Sequence, residues 1–284
     1  MAVNTVQPRA FAGAPSTAGT SKPAAIPSGT SPGDKAYFLF VSAGGPLDAT
    51  PTGMIPVRSG NIGTGFYWAI FSKLLTSGDI SAGTIAATST GAGKAVMATL
   101  PFFSSVGEVV RVDVQAKQET VSTNTHGQTA VTLPGPGAVI SVLAVKDTST
   151  GVSGTYAAPS GFALTAAGAF ATGGASQVVI AAAVNTGGDV GPGAFGGSGV
   201  WTVTDSTGVT AEPSSNAVVI TLAVCAVLRP TADITNPAGV TYVGGTTTFG
   251  VTADDDPATY AQSGSGTYTL QVPVNGIVPN FIGW

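Results

Sequence analysis

The longest mainly apolar stretch of this 284-residue chain, AVVITLAVCAVL at 217–228, broken only by Thr221, is too short to cross a membrane as a helix. A spanning helix needs about 20 consecutive apolar residues. The stretch is rich in β-branched residues and is bounded by Ser215-Asn216 and Arg229-Pro230. It reads as a buried strand with its punctuation. Shorter runs of the same texture recur along the chain: AYFLFV (36–41), FYWAIFSKLL (66–75), TIAAT (84–88), AVMATLPF (95–102), QTAVTL (128–133), VISVLAV (139–145), GFALTA (161–166), QVVIAAAV (177–184) and GVWTVT (199–204). VVRVDVQ (109–115) alternates cleanly, which gives a strand one wet face. Gly-Gly, Pro-Gly and Asp-Ser-Thr-Gly turns separate the runs. Ser77-Gly78-Asp79 reads as another such turn, and no longer window carries a helical period.

Many short strands punctuated this way predict an all-β fold. The expected architecture is one large two-sheet β-sandwich or jelly roll over residues 33–228. An extended arm precedes it, and a small β appendage follows it. The arm, residues 1–32, is biased to Ala, Pro, Ser, Thr and Gly and includes Pro8, Pro15, Pro23, Pro27 and Pro32. Prolines at that density oppose both helix and ladder. An ordered segment of this kind must be held by something, either its own domain or a neighbouring subunit. The appendage, residues 229–284, is a partial immunoglobulin-like unit with strand signals at 246–252 (TTTFGVT) and 267–272 (TYTLQV). It is short for an independent domain. The candidate partner contacts are Pro8, Phe11, Pro15 and Pro23 in the arm, and Phe281 and Trp284 in the apolar C-terminal run.

Only 8% of the residues are charged, against roughly a quarter in an ordinary soluble domain. Such a chain suits a surface partly covered by neighbours, as a homo-oligomer or in a lattice. A net charge of −4 argues against nucleic acid as a partner, because that needs a basic footprint. The N-terminus shows no secretory h-region.

Little in the chain points to reaction chemistry. The single histidine, His126, lies in a polar loop and has no nucleophile elbow to serve. One Cys and one His do not make the usual zinc set, and Cys225 inside an apolar run reads as a small buried hydrophobe. Gly91-Ala92-Gly93-Lys94 ends like a phosphate loop, but Thr88 and Ala95 stand where that motif needs Gly and Ser or Thr, so it reads as a turn. No catalytic residue and no cofactor is assigned. Asp254, Asp255 and Asp256 form the one acidic cluster. Oxygen ligands of this kind can hold Ca²⁺, but the Asp-x-Asp-x-Asp-Gly pattern is missing and a solvated turn is the plainer reading. Tyr67 and Trp201 are the candidate glycan contacts, against the more common fate of such rings as core.

Pro51-Thr52-Gly53-Met54 is echoed by Pro159-Ser160-Gly161-Phe162. Each is a Pro-Ser/Thr-Gly turn opening into an apolar position, which fits equivalent corners of two sheets. The run from Pro51 through Phe66-Tyr67-Trp68 to Phe71 resembles a module of actinobacteriophage minor tail proteins. So do the second turn at Pro159–Phe162 and the junction LRPTADITNP at 228–237. Met54 stands where that family often has Trp, and little more than 50 residues follow the junction. The resemblance implies a virion structural protein without catalytic machinery. It would be a minor tail or fibre-type component contributing to assembly and host adhesion, made in the host cytoplasm. A capsid decoration protein anchored by its terminal segments is the first alternative, and a carbohydrate-binding module for a host envelope glycan is the second. The expected partners are tail or capsid subunits.

Overall fold

The computed structural model describes residues 6–63, 65–105, 108–120, 123–147, 155–172, 177–204, 216–227, 234–235 and 250–251. In chain order the first strands are β1 (Gln7–Pro8), β2 (Ala12–Ser16), β3 (Ala24–Ala25), β4 (Lys35–Ser42), β5 (Ile55–Ile62) and β6 (Phe66–Leu74). Helix α1 (Ser77–Ala82) follows, then β7 (Thr84–Ile85), β8 (Ala95–Phe103) and β9 (Glu108–Glu119). Next come β10 (Thr125–Gly127), β11 (Val131–Leu133), β12 (Gly137–Asp147), β13 (Thr155–Ala157), β14 (Phe162–Ala171) and β15 (Gln177–Asn185). The last are β16 (Gly193–Phe195), β17 (Val200–Thr204), β18 (Asn216–Val227), β19 (Ile234–Thr235) and β20 (Gly250–Val251). The fold is all-β.

The chain forms two compact units, and the first comprises Met1–Ser105 with Val109–Ala226. In the second, β19 pairs antiparallel with β20. The remaining appendage positions, including Asp254, Asp255, Asp256, Phe281 and Trp284, lie outside the described residues.

The first unit is a sandwich of two antiparallel sheets. One has the order β1-β8-β4-β6-β5, with β2 also on β8; the other has the order β14-β15-β12-β18-β9. Tyr37, Leu39, Trp68, Ile70, Leu100 and Phe102 from the first sheet share one core with Ile140, Val142, Ile180, Ile220 and Leu222 from the second. Side chains alternate across a strand, so the opposite faces need cover of their own. Phe38, Phe40, Phe71 and Met97 on the outer face of the first sheet are sealed by Ala24, Met54, Leu75 and Ile85. Val139, Leu143, Val179, Val219 and Cys225 on the outer face of the second are sealed by Val131, Leu133, Phe162 and Trp201. Burial on both faces explains why the central strands read as continuous apolar runs rather than alternating ones. β9 is an edge strand with a half-wet face and keeps the alternation.

The two sheets repeat one plan. β8-β4-β6-β5 and β18-β12-β15-β14 have the same order, and each is antiparallel throughout. In both, the outer strand opens with the Pro-Ser/Thr-Gly turn. Met54 N–H donates to the Pro51 carbonyl and Phe162 N–H to the Pro159 carbonyl, each at 3.0 Å. Met54 and Phe162 then cap the outer cores of their respective sheets. The register breaks at the same place in both, between Pro56 and Arg58 in β5 and between Leu164 and Ala169 in β14. Pairing register makes Tyr37 equivalent to Ile140, Leu100 to Leu222, Tyr67 to Val179, and Ala69 to Ala181.

Of the two readings of the Pro-rich segment, the one in which its own domain holds it describes residues 6–32: β1 and β2 add to the edge of β8, and β3 pairs with β7. Pro8 and Pro15 are tolerated because a strand at a sheet edge need not donate on its outer side. Ser77-Gly78-Asp79 is the start of a one-and-a-half-turn helix rather than a turn. Thr76 and Asp79 form a reciprocal capping box, and Gly83 ends the helix in the left-handed region at φ 67°. β5 is a strand without a strand signal, because IPVRSGNI carries Pro, Gly and Asn and only one buried position.

The N-terminal segment is also pinned by polar groups. Arg9 Nε lies 3.0 Å from Asp34 Oδ2, and its guanidinium sits 4.0 Å from the Phe103 ring centre. Lys22 is 1% exposed; its Nζ donates to the Gly93 carbonyl at 2.6 Å and to Ser16 Oγ at 3.1 Å. Burial pushes that amine below its ordinary pKa. The glycines of the Gly91–Gly93 turn serve packing: a Cβ on Gly91 or Gly93 would strike the backbone of Gly44.

Phe11 is 4% exposed, belongs to the inter-sheet core, and packs against Phe170 with ring centres 5.0 Å apart and planes tilted by 58°. Phe11→Ala is expected to lower unfolding free energy by about 3–5 kcal/mol in urea titrations, the cost of emptying a core aromatic site. A loss below about 1 kcal/mol would mean that the segment is draped rather than built in.

Candidate functional site

A cleft opens on the outer face of the first sheet, at β5 and β6, with a volume of about 380 Å³. Its floor consists of cross-strand rows. Asn61, Tyr67 and Ser42 stand side by side, as do Ser59, Ala69 and Phe40, and then Pro56, Phe71 and Phe38. Small residues in the middle row, Ala69 and Ser59, leave the depression between Tyr67 and Phe71. Pro46, Leu47, Ala49 and Thr50 form one wall. That wall is tied down: Asp48 N–H donates to the Thr88 carbonyl at 2.9 Å, Thr90 N–H donates to the Pro46 carbonyl at 3.1 Å, and Leu47 bridges Ser89.

The cleft is poor in charge. Among the described residues, Arg58 is the only ionisable lining side chain besides the Tyr67 phenol. The register break at Val57 places Arg58 opposite the inward-facing Ile70, and its Nη1 donates to the Val114 carbonyl of β9 at 2.9 Å. A bulge beside a site commonly re-aims a side chain in this way. What remains is one half-buried aromatic ring, an amide, hydroxyls and apolar walls. Asn61 Nδ2 donates to the Gly63 carbonyl at 3.1 Å, which orients the amide.

The other residues that the sequence nominates do not gather here. Trp201 is fully buried, and its Nε1–H donates to Ser141 Oγ at 2.8 Å, so it offers no ring to a glycan. Tyr67 alone of that pair lines a cleft. Phe11 is core, Pro23 is half-buried, and Pro8 and Pro15 are exposed on the edge strands. Among the described residues, no three His, Cys, Asp or Glu side chains gather closely enough to hold a metal ion. No helix among the described residues is long and apolar enough to cross a membrane. Asn61, Ser59 and the 46–50 wall join the site without any motif to mark them. The available signal is their position on either side of the Pro51 turn, directly before the aromatic strand.

His126 is not in an open loop. It is fully buried in β10, opposite Trp201, and its Nδ1 lies 2.7 Å from Glu119 Oε2. Lys117 Nζ sits 2.8 Å from the other carboxylate oxygen. Burial pushes the Glu119 carboxyl up, but hydrogen bonds from Lys117 and His126 and their charges outweigh it, so the pKa falls below its ordinary value. This constellation fastens the end of β9 to β10. Cys225 is buried with Sγ 3.6 Å from the Gly135 carbonyl, and burial raises its pKa.

No protein-family model, no curated protein and no solved structure matches this chain.

Because the Glu119 pKa is lower folded than unfolded, its contribution is present above the ordinary value of 4.5 and is lost as pH falls through the folded value. The stability difference between the wild type and Glu119→Gln should therefore be largest above about pH 4.5 and shrink in acid. A pH-independent difference would remove the latch. Cys225 should resist iodoacetamide in the native protein and react once guanidinium unfolds it; equal labelling in both states would contradict its burial.

Proposed function

We propose that this chain is a non-catalytic structural component of a bacteriophage particle, of the minor tail or fibre type, contributing to assembly and host-surface adhesion. The observation that carries this reading is the placement of the two Pro-Ser/Thr-Gly turns. They are the residues on which the resemblance to phage minor tail proteins rests. Here they hold equivalent corners of two sheets with one strand order. A module repeated as a folded unit supports a resemblance of architecture rather than of scattered residues. The construction suits a structural part: the chain's own segments cover both faces of the central strands of both sheets and leave the cleft at β5 and β6 open. The scarcity of charge fits a surface that neighbouring subunits cover.

Immunogold labelling of intact particles with an antibody raised against residues 33–228 tests the reading. Label at the tail tip or fibres is the expected outcome. Label spread over the head would make the chain a capsid decoration protein, and particles without label would sink the virion role.

A further inference from the structure

We propose that the cleft between β5, β6 and the 46–50 wall is a binding site for a neutral saccharide, with Tyr67 as its stacking platform. The proposal rests on the adhesion reading for its biological setting, and its physical argument is independent of it.

The repeated plan supplies an internal comparison. At the positions of the second sheet that match Tyr67 and Ala69, Val179 and Ala181 are fully buried in the core that Trp201 closes. The first sheet has the same strand order and a register break at the matching place, yet here the face is left open as a cleft. The side chains differ in step with that opening. Tyr67, Asn61 and Ser59 stand where the second sheet has Val179, Ala171 and Ala169. Packing alone would favour the apolar set. A tyrosine outside every core cluster, flanked by an amide and a hydroxyl, is instead the surface that a pyranose recognises, apolar on its C–H face and hydrogen-bonding at its rim.

Charge decides the ligand class. The guanidinium of Arg58 is directed to the Val114 carbonyl at the sheet edge, and no other lining side chain carries a formal charge at neutral pH. An anionic sugar would therefore meet a single guanidinium already engaged at the sheet edge, whereas a neutral one needs no counter-charge. The wall is held by three backbone links to residues 88–90, so little ordering is left for the ligand to impose.

The test is an NMR titration of the full-length ¹⁵N-labelled protein with chitotriose, a β-glucan trisaccharide, a galactan trisaccharide and, as a comparison, a uronic-acid trisaccharide. At least one neutral sugar should shift amides confined to residues 46–50, 56–61 and 67–71. Tyr67→Ala should weaken that binding at least about tenfold, with the rest of the spectrum unchanged, while Tyr67→Phe retains it. The proposal is overturned if no neutral sugar moves those amides, if the shifts persist undiminished in Tyr67→Ala, or if only the uronic acid binds. Particle labelling does not depend on the cleft, so a silent titration with labelled tails removes the saccharide site alone. Binding by a protein absent from particles removes the virion role alone.

Discussion

Burying both faces of both sheets is the constraint on which the rest of this protein depends. A two-sheet sandwich normally leaves its outer faces in water and carries alternating polar residues there. Here β4, β8, β12, β15 and β18 carry apolar side chains on both sides. Each outer face must then be roofed, and the chain supplies the roofs from its connections. Residues near Ala24, Met54, Leu75 and Ile85 cover the first sheet, and those near Leu133, Phe162 and Trp201 cover the second. Two polar groups carried under these roofs find partners close by: the Trp201 indole on Ser141 and the Lys22 amine on Gly93.

Magnitudes show which interactions dominate. The ion pairs Arg9–Asp34, Lys73–Asp79 and Lys117–Glu119 each tie down the end of a segment. Partly exposed pairs of this kind contribute about 0–1 kcal/mol. A single buried aromatic such as Trp201 or Phe11 contributes about 3–5 kcal/mol relative to Ala. With so few charges, the fold is decided by apolar cover, and the polar contacts select where the cover sits.

The repeat of one four-strand plan in both sheets makes the asymmetry between them informative. Inner positions match closely in character: Leu39 with Val142, Val96 with Val218, and Leu100 with Leu222, all in one core. The outer faces diverge because the roofs differ. The second sheet is closed over Val179 and Ala181, whereas the first stops short of Tyr67 and leaves a cleft beside an edge strand. The candidate site thus arises from incomplete cover over a shared frame.

The strand runs, the β class and the two Pro-Ser/Thr-Gly corners are legible in the sequence. Apolar β-branched runs between glycine turns leave few other ways to bury themselves, and the turn glycines, Gly53 and Gly161, adopt positive φ. The helix at Ser77–Ala82 is hidden because six residues carry too little period, although the Thr76–Asp79 box is written there. β5 is hidden because an exposed edge strand has no buried face to impose alternation. Whether Tyr67 or Trp201 faces solvent is undecidable from residue type, since both sit in alternating segments. Only the tertiary structure chooses, by placing a roof over one ring and leaving the other at the border of its sheet. The sequence by itself determined that the apolar runs become strands, because that depends on local pattern. Which faces are closed, where Lys22 and Phe11 anchor the N-terminal strands, and where the cleft opens were settled by contacts between residues far apart in the chain, which no local pattern encodes.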